Sequence, residues 1–75
     1  MNQLVFCLQF YLNAEKYTLK SIKPFTMDNL LEFFNYNKNL IVIEYNNNIL
    51  HKENWSKIQL HDLDKIEIVT IVGGG

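Results

Sequence analysis

Large apolar side chains recur at every second position at the start of the chain. The five residues concerned are Leu4, Phe6, Leu8, Phe10 and Leu12. A period of two predicts a β-strand with one buried face. Asn13-Ala14-Glu15 follows as a turn, because asparagine tolerates the left-handed conformation. Residues 16–20 then predict a second short strand, so the chain is expected to open with a β-hairpin.

The spacing of apolar residues becomes helical after Pro24, which marks a connection. Thr26 is expected to be the N-cap of a helix, and Asp28 lies in its first turn, where the helix dipole favours a carboxylate. Four apolar residues give one stripe at helical spacing: Met27, Leu30, Leu31 and Phe34. This stripe predicts a short helix packed on the core, and the helix should end among the polar residues 36–39.

The second half of the chain predicts further strands joined by short elements. Residues 40–45 are nearly all apolar, which is typical of a central strand buried on both faces. Three asparagines at 46–48 predict a turn into a brief edge strand at 49–50. Trp55 is expected to pin a helical turn or loop onto the core, and residues 58–60 predict another short extended piece.

The last predicted strand covers residues 65–72 and follows an aspartate-rich turn. Alternation places Ile66 and Ile68 toward the core, and it places Glu67, Val69 and Ile71 on the opposite face. A hairpin, a helix and then more strands predict an α+β fold of the β-grasp (ubiquitin-like) type. We expect a mixed sheet of about four to five strands, one main helix on one face, and a single domain over residues 1–72.

Composition and charge narrow the class of function. The chain has 75 residues, 48% of them hydrophobic, and a net charge of −1, which is typical of a small globular domain. All seven basic residues are lysine, so the arginine pairs that read phosphate and guanine are missing and no nucleic-acid partner is expected. No apolar run is long enough for a membrane helix, and no signal peptide is recognisable. We therefore expect a cytoplasmic protein without a membrane partner, or a protein of the plastid stroma if an organelle genome encodes it.

The side chains offer little chemistry. Cys7 is the only cysteine and is interpreted as a buried strand residue without a histidine partner. His51 and His61 lie ten residues apart on loops, which is not a metal-ligand spacing. Asp62 and Asp64 are interpreted as caps of a turn rather than as a cation site. We expect no enzyme activity, no metal site and no bound cofactor.

All the glycine in the sequence lies at residues 73–75. A terminal glycine presents an unhindered carboxylate, because its α-carbon has no side chain. Three extended residues reach roughly 10 Å, which is enough to enter a narrow channel in another protein. Gly73-Gly74-Gly75 is therefore predicted to be a flexible tail whose terminal carboxylate is the reactive group.

Three stretches of the chain carry a resemblance to a known family. Leu12-Asn13-Ala14-Glu15 is similar to a hairpin turn of the ThiS-like sulfur carriers of thiamine thiazole biosynthesis. Residues 39–55 resemble the central strand and aromatic segment of that family, and residues 60–75 resemble its acidic turn, last strand and tail. Ala14 and Leu63 stand where the family often has glycine. We expect these two departures to change the turn geometry and to leave the reactive end intact.

The resemblance implies a mechanism and partners. A ThiF-like adenylyltransferase would use ATP and Mg²⁺ to adenylate Gly75, and sulfur supplied by a cysteine desulfurase would convert it to a thiocarboxylate. A ThiG-like thiazole synthase would then receive the sulfur. Gly73 and Gly74 would thread into these partners, and Val69 and Ile71 would form the docking surface.

Three alternatives remain open at this point. The small subunit of molybdopterin synthase has the same fold and the same type of ending. A ubiquitin-like modifier would instead form an isopeptide bond through Gly75. A β-grasp interaction module would bind a partner by its sheet face and have an inert tail.

Overall fold

A five-stranded mixed sheet carries one helix on one of its faces, and the computed structural model describes it over residues 5–71. The elements are β1 (Phe6–Leu12), β2 (Glu15–Ser21), α1 (Met27–Phe33), β3 (Ile41–Tyr45), β4 (Asn48–Leu50) and β5 (Asp64–Thr70), with short 3₁₀ turns at Lys38–Leu40 and Lys52–Asn54. The strand order is β2-β1-β5-β3-β4. β1 and β5 are parallel, and the other neighbours are antiparallel. The first and last strands thus lie together in the middle, and the predicted α+β β-grasp fold is confirmed.

Asparagine takes the place of glycine in the turns. Four asparagines have positive φ, namely Asn13, Asn35, Asn46 and Asn47. Asparagine visits this left-handed region more easily than other residues with a side chain. Ala14 (φ 69°) and Leu63 (φ 66°) lie in the same region. Both residues thus adopt the backbone conformation that glycine favours, and the expected difference from the turns of the family stays a prediction.

The helix α1 begins at a capping box. The Thr26 hydroxyl accepts a hydrogen bond from the Asn29 backbone N–H, and the Asn29 side chain accepts one from the Thr26 N–H. These bonds satisfy backbone donors that a helix start leaves unpaired, so the predicted N-cap is confirmed. Asn35 has φ 61° and turns the chain just after Phe34, so the helix ends a little earlier than predicted.

The core lies between α1 and one face of the sheet. Its buried hydrophobic members are Phe10, Leu12, Met27, Leu30, Leu31, Ile41, Ile43, Trp55, Leu60, Ile66 and Ile68. The indole N–H of Trp55 donates to the Leu50 carbonyl (2.9 Å), which confirms that Trp55 pins its segment to the core. The short extended piece predicted at residues 58–60 is confirmed as an isolated antiparallel bridge between Thr26 and Gln59.

The face of the sheet opposite α1 is open, and this corrects the prediction for β3. Ile41 and Ile43 are buried, as expected, but Val42 between them is 38% exposed. The prediction of burial on both faces is wrong because the described residues include only one covering layer.

Candidate functional site

The C-terminal end of β5 presents apolar side chains on the open face. Val69 is 61% exposed and Ile71 is 48% exposed, whereas Ile66 and Ile68 are buried. The predicted alternation along this strand is therefore confirmed. A docking role for Val69 and Ile71 stays a prediction.

β3 contributes two more apolar residues to the same surface. Val42 lies directly opposite Val69 in the ladder, and the Leu40 carbonyl accepts a hydrogen bond from the Ile71 N–H (2.6 Å). We call the four exposed residues Leu40, Val42, Val69 and Ile71 the apolar patch. Exposed groups of this kind usually mark interaction sites. The sequence prediction missed Leu40 and Val42 because a run that is apolar on both faces was interpreted as doubly buried.

β1 does not cover the apolar patch. Phe10 of β1 pairs with Asp64, and Leu12 pairs with Ile66. Because the two strands are parallel, the N-terminal end of β1 leads away from Val69. The described part of the chain therefore leaves the patch open to a partner.

A negative rung borders the apolar patch. Glu44 and Glu67 lie directly opposite each other on the open face, and like charges in this position destabilise a sheet. The ion pairs found within residues 5–71 are those of Lys38 with Asp28 and Glu32, so neither Glu44 nor Glu67 has an ion-pair partner in that range. The rung therefore adds two negative charges next to the apolar patch, on the part of the open face that β3 and β5 form.

A buried carboxylate fixes the start of β5. Asp64 accepts hydrogen bonds from the Tyr45 hydroxyl, the Asn46 side-chain amide (3.1 Å) and the His61 backbone N–H (2.7 Å). Burial, and next the hydrogen bond to Asp64, raise the pKa of Tyr45 well above its ordinary value. Buried carboxylates persist where donors surround them in this way.

The other aspartate of the turn, Asp62, also accepts a hydrogen bond from the backbone. Asp62 accepts a hydrogen bond from the Gln9 N–H (2.8 Å), which ties the turn to β1. The interpretation as a turn cap is thus confirmed for Asp64, which accepts from the His61 N–H within the turn, whereas Asp62 bonds to β1 instead. Within residues 5–71, His, Cys, Asp and Glu side chains form no group of three that could hold a metal ion.

Two asparagines clamp β5 from its two sides. Asn13 donates its N–H to the Ile66 carbonyl (2.9 Å), and its side-chain oxygen accepts from the Ile68 N–H (2.8 Å). On the other side, Asn46 donates its N–H to the Lys65 carbonyl and accepts from the Lys65 N–H, both at 2.8 Å. These contacts hold the first half of β5 firmly and so define where its second half points. Neither clamp could be predicted from the sequence beyond the preference of asparagine for turns.

The remaining candidate residues are dispersed or lie outside the described range. Cys7 is exposed in β1, so its interpretation as a buried residue is wrong: it belongs to the open face. His51 precedes the turn at Lys52–Asn54, and His61 precedes β5. Residues 72–75 lie outside the described residues, so the domain boundary at 72 and the roles of the three glycines stay predictions. No helix within residues 5–71 combines the length and the apolar character needed to cross a membrane.

Comparison with known proteins gives a family and a fold. The family model that matches is described as the ThiS family, and it matches residues 10–75. A protein named ycf40 from Trieres chinensis is 47% identical over 66 residues, which cover 88% of each chain. The sulfur carrier protein ThiS of Bacillus subtilis is 38% identical over 50 residues, which cover 67% of this chain and 76% of that one. The crystal structure of the thiamine biosynthesis protein ThiS from Geobacter metallireducens superposes with a TM-score of 0.77 at 20% identity, covering 91% of this chain and 100% of that one, and it shows the shared fold.

Proposed function

Since the chain belongs to the ThiS family, we propose that it is a sulfur carrier of thiamine biosynthesis. The observation that carries this proposal is the extent of the family match, which runs from residue 10 through β5 to Gly75. The Bacillus relative, whose name is sulfur carrier protein ThiS, supports it. The chain acts as a carrier and co-substrate rather than as an enzyme.

The proposed chemistry takes place at the Gly75 carboxylate. In the active site of a ThiF-like adenylyltransferase, this carboxylate attacks the α-phosphorus of ATP and releases pyrophosphate, while Mg²⁺ balances the phosphate charges. A free carboxylate has no good leaving group, whereas the acyl-adenylate can release AMP. The desulfurase converts cysteine to alanine and holds the sulfur as an enzyme persulfide, whose terminal sulfur then displaces AMP to form an acyl persulfide. A second thiol, such as that of free cysteine, reduces the S–S bond and releases the thiocarboxylate, and the desulfurase cysteine leaves in a disulfide. A ThiG-like thiazole synthase receives that sulfur.

The folded domain positions this carboxylate in the partner. The apolar patch packs against the partner's surface, and Val69 and Ile71 supply its most tail-proximal side chains. Gly73 and Gly74 pass through a channel too narrow for side chains, because glycine has no Cβ. The clamps on β5 hold the strand to which this tail is attached.

The relatives named ycf40, from Trieres chinensis, Porphyra purpurea and Pyropia yezoensis, support a plastid-encoded protein. We therefore place this carrier in the plastid stroma, together with its adenylyltransferase and thiazole synthase. Fractionation of native cells followed by detection of the protein in the stroma would test this placement, and its recovery from the cytosol alone would contradict it.

The first test is a mass measurement on the intact protein. The protein is incubated with the adenylyltransferase, ATP, Mg²⁺, a cysteine desulfurase and cysteine. The mass should rise by the exchange of one oxygen for sulfur, and fragmentation should place the change on Gly75. A variant that lacks Gly75 serves as the control: it should fold normally and keep its mass, because its carboxylate stops about 3.5 Å short of the reacting centre.

The outcome separates this function from its alternatives. An unchanged mass for the full-length chain would contradict the carrier function and favour an interaction module with an inert tail. Isopeptide-linked products would favour a ubiquitin-like modifier. A thiocarboxylate that supports molybdopterin formation and no thiazole formation would favour the molybdopterin synthase subunit.

The second test concerns docking. Val69→Asp and Ile71→Asp place a charge in the apolar patch and should weaken binding to the adenylyltransferase by about tenfold or more, because desolvating an unpaired carboxylate is unfavourable. Ile22→Asp is the matched control, since Ile22 is equally exposed (63%) and follows β2, outside the patch. Titration calorimetry gives the affinities. Equal losses for all three variants would contradict a docking role for the patch.

A further inference from the structure

The edge of β5 that faces β1 is only half covered. Residues 10–12 of β1 pair with residues 64–66 of β5, and β5 continues to Thr70. Asn13 makes the last contact on this side, where its side-chain oxygen accepts from the Ile68 N–H. Beyond Ile68, the part of the chain that the structure describes places no strand beside β5 on this side.

The direction of the backbone groups follows from the ladder with β3. The Lys65 carbonyl and the Ile71 N–H both bond on the β3 side. Because successive residues of a strand point their backbone groups to opposite sides, residues 66, 68 and 70 point toward β1. The Ile68 carbonyl and the N–H and carbonyl of Thr70 consequently face the uncovered edge, and they have no hydrogen-bond partner within residues 5–71.

We propose that an extended segment of the activating adenylyltransferase adds a strand to β5 at this uncovered edge. This inference rests on the proposed function and names how that partner holds the carrier. The incoming segment bonds to the Ile68 carbonyl and to both backbone groups of Thr70. Strand addition of this type provides affinity through main-chain hydrogen bonds.

Three features favour this edge over the outer edges of β2 and β4. It belongs to a central strand, it adjoins Val69 and Ile71 of the apolar patch, and it leads directly toward the residues that the partner must hold. A groove of about 280 Å³ lies where β1 leaves β5, lined by Tyr11, Ala14, Lys65, Ile66 and Glu67.

Strand addition also explains how the reach of the tail is set. Hydrogen bonds along an edge fix the register of two strands, and a slip of one residue shifts them by about 3.3 Å. A partner bound to Thr70 therefore fixes the distance from β5 to its own active site. The apolar patch alone cannot do so, because apolar contacts are not directional.

The test removes one backbone donor and leaves every side chain in place. The protein is made by chemical synthesis in three forms: all-amide, with an ester in place of the Thr70 amide, and with an ester in place of the Ile49 amide. Ile49 is the matched control. Asn48 and Leu50 are paired with Tyr45 and Ile43 of β3, and their backbone groups point toward β3. Because backbone groups alternate in direction along a strand, the Ile49 N–H points to the outer edge of β4.

The measurement is the affinity of each form for the adenylyltransferase in the presence of ATP, with pyrophosphate release as the activity readout. The Thr70 ester should bind about tenfold more weakly, because it loses one hydrogen bond and leaves a partner carbonyl unpaired. The Ile49 ester should bind as the all-amide form does. In the all-amide complex, hydrogen exchange at the Thr70 amide should slow on binding.

The experiment distinguishes failure of strand addition alone from failure of the carrier function. Strand addition is wrong, and the carrier function stands, if the all-amide form is adenylated but the Thr70 ester binds equally well. The same holds if the all-amide form is adenylated but its Thr70 amide gains no protection from hydrogen exchange on binding. If the all-amide form is not adenylated at all, the proposed function fails and the strand addition fails with it.

Discussion

Replacing Ala14 by glycine should stabilise the protein, although glycine usually weakens an ordered segment. Ala14 is the second residue of the two-residue turn between β1 and β2, and its φ is 69°. Asn13 before it has φ 50°. Positive φ at both central positions defines the type I′ turn, for which Asn-Gly is the preferred sequence. Ala14→Gly therefore gives the turn its best residue pair.

The expected gain is the difference between two terms. A left-handed conformation costs an L-residue about 1–2 kcal/mol, and glycine avoids that cost. Glycine also raises the entropy of the unfolded chain, which lowers stability by about 0.4–1 kcal/mol. The Ala14 side chain is exposed, so little packing is lost. The free energy of unfolding should rise by about 0.5–1 kcal/mol, and the melting temperature by about 2–8 °C for a domain of this size.

Urea unfolding followed by circular dichroism measures the change. A protein with D-alanine at position 14 separates the two terms, because a D-residue prefers positive φ without the additional freedom of glycine. It should be more stable than the Ala14→Gly variant. Thr18→Gly compared with Thr18→Ala provides the control within β2, where φ is negative and glycine should destabilise by about 0.5–1 kcal/mol. If Ala14→Gly destabilises the protein as Thr18→Gly does, then the left-handed conformation of Ala14 carries no cost that glycine relieves.

Three further predictions concern the residues around β5. The raised pKa of Tyr45 means that the folded state keeps this phenol protonated when the unfolded chain begins to ionise near pH 10. The contribution to stability should therefore be fully present below about pH 10 and should fall as the pH rises above it. If the free energy of unfolding, measured in urea, falls with pH equally in Tyr45→Phe and in the parent protein, this prediction is wrong. Asp64→Asn should lower the free energy of unfolding by about 1–3 kcal/mol, because an amide offers fewer acceptors to the three donors around this buried position. A melting temperature equal to that of the parent protein would disprove the anchoring role. Glu67→Lys should raise the free energy of unfolding by about 0.2–1 kcal/mol, because an attractive pair with Glu44 replaces a repulsive one. This gain should shrink in 1 M salt, which screens the charges. Glu53→Lys, at an exposed turn position, is the control and should show no salt-dependent gain.

The elements that could be predicted are those in which a single periodicity determines the structure. The helix followed from the cap at Thr26 and the apolar stripe, and the two faces of β5 followed from alternation at residues 66–71. Both signals are local, so they do not depend on the rest of the fold. The pairing of the first and last strands came from the order of the elements.

The elements that were missed depend on what lies above each face of the sheet. Leu40 and Val42 are apolar residues of an exposed patch. In the sequence, an exposed apolar face gives the same continuous apolar run as a strand that is buried on both faces. Asp64 was correctly interpreted as a turn cap, but its burial and its hydrogen bond with Tyr45, nineteen residues away, were not predicted. Cys7 was assigned to the interior by its residue type alone. It alternates with Phe6 and Leu8 along β1, and this alternation correctly predicts that Cys7 lies on the other face of the sheet.

The parallel pairing of β1 and β5 has a mechanical consequence. The start of β1 and the end of β5 lie at opposite ends of the pair, so a force that separates these two points loads the hydrogen bonds between the strands in shear. All the hydrogen bonds between the two strands then resist the force together, and the two bonds that Asn13 makes to β5 share the load. A hairpin pulled at its open end, in contrast, breaks one hydrogen bond at a time. A partner that pulls on the C-terminal end of β5 therefore meets a stiff anchor, and the carrier can be drawn into or out of an active site without the sheet being unzipped.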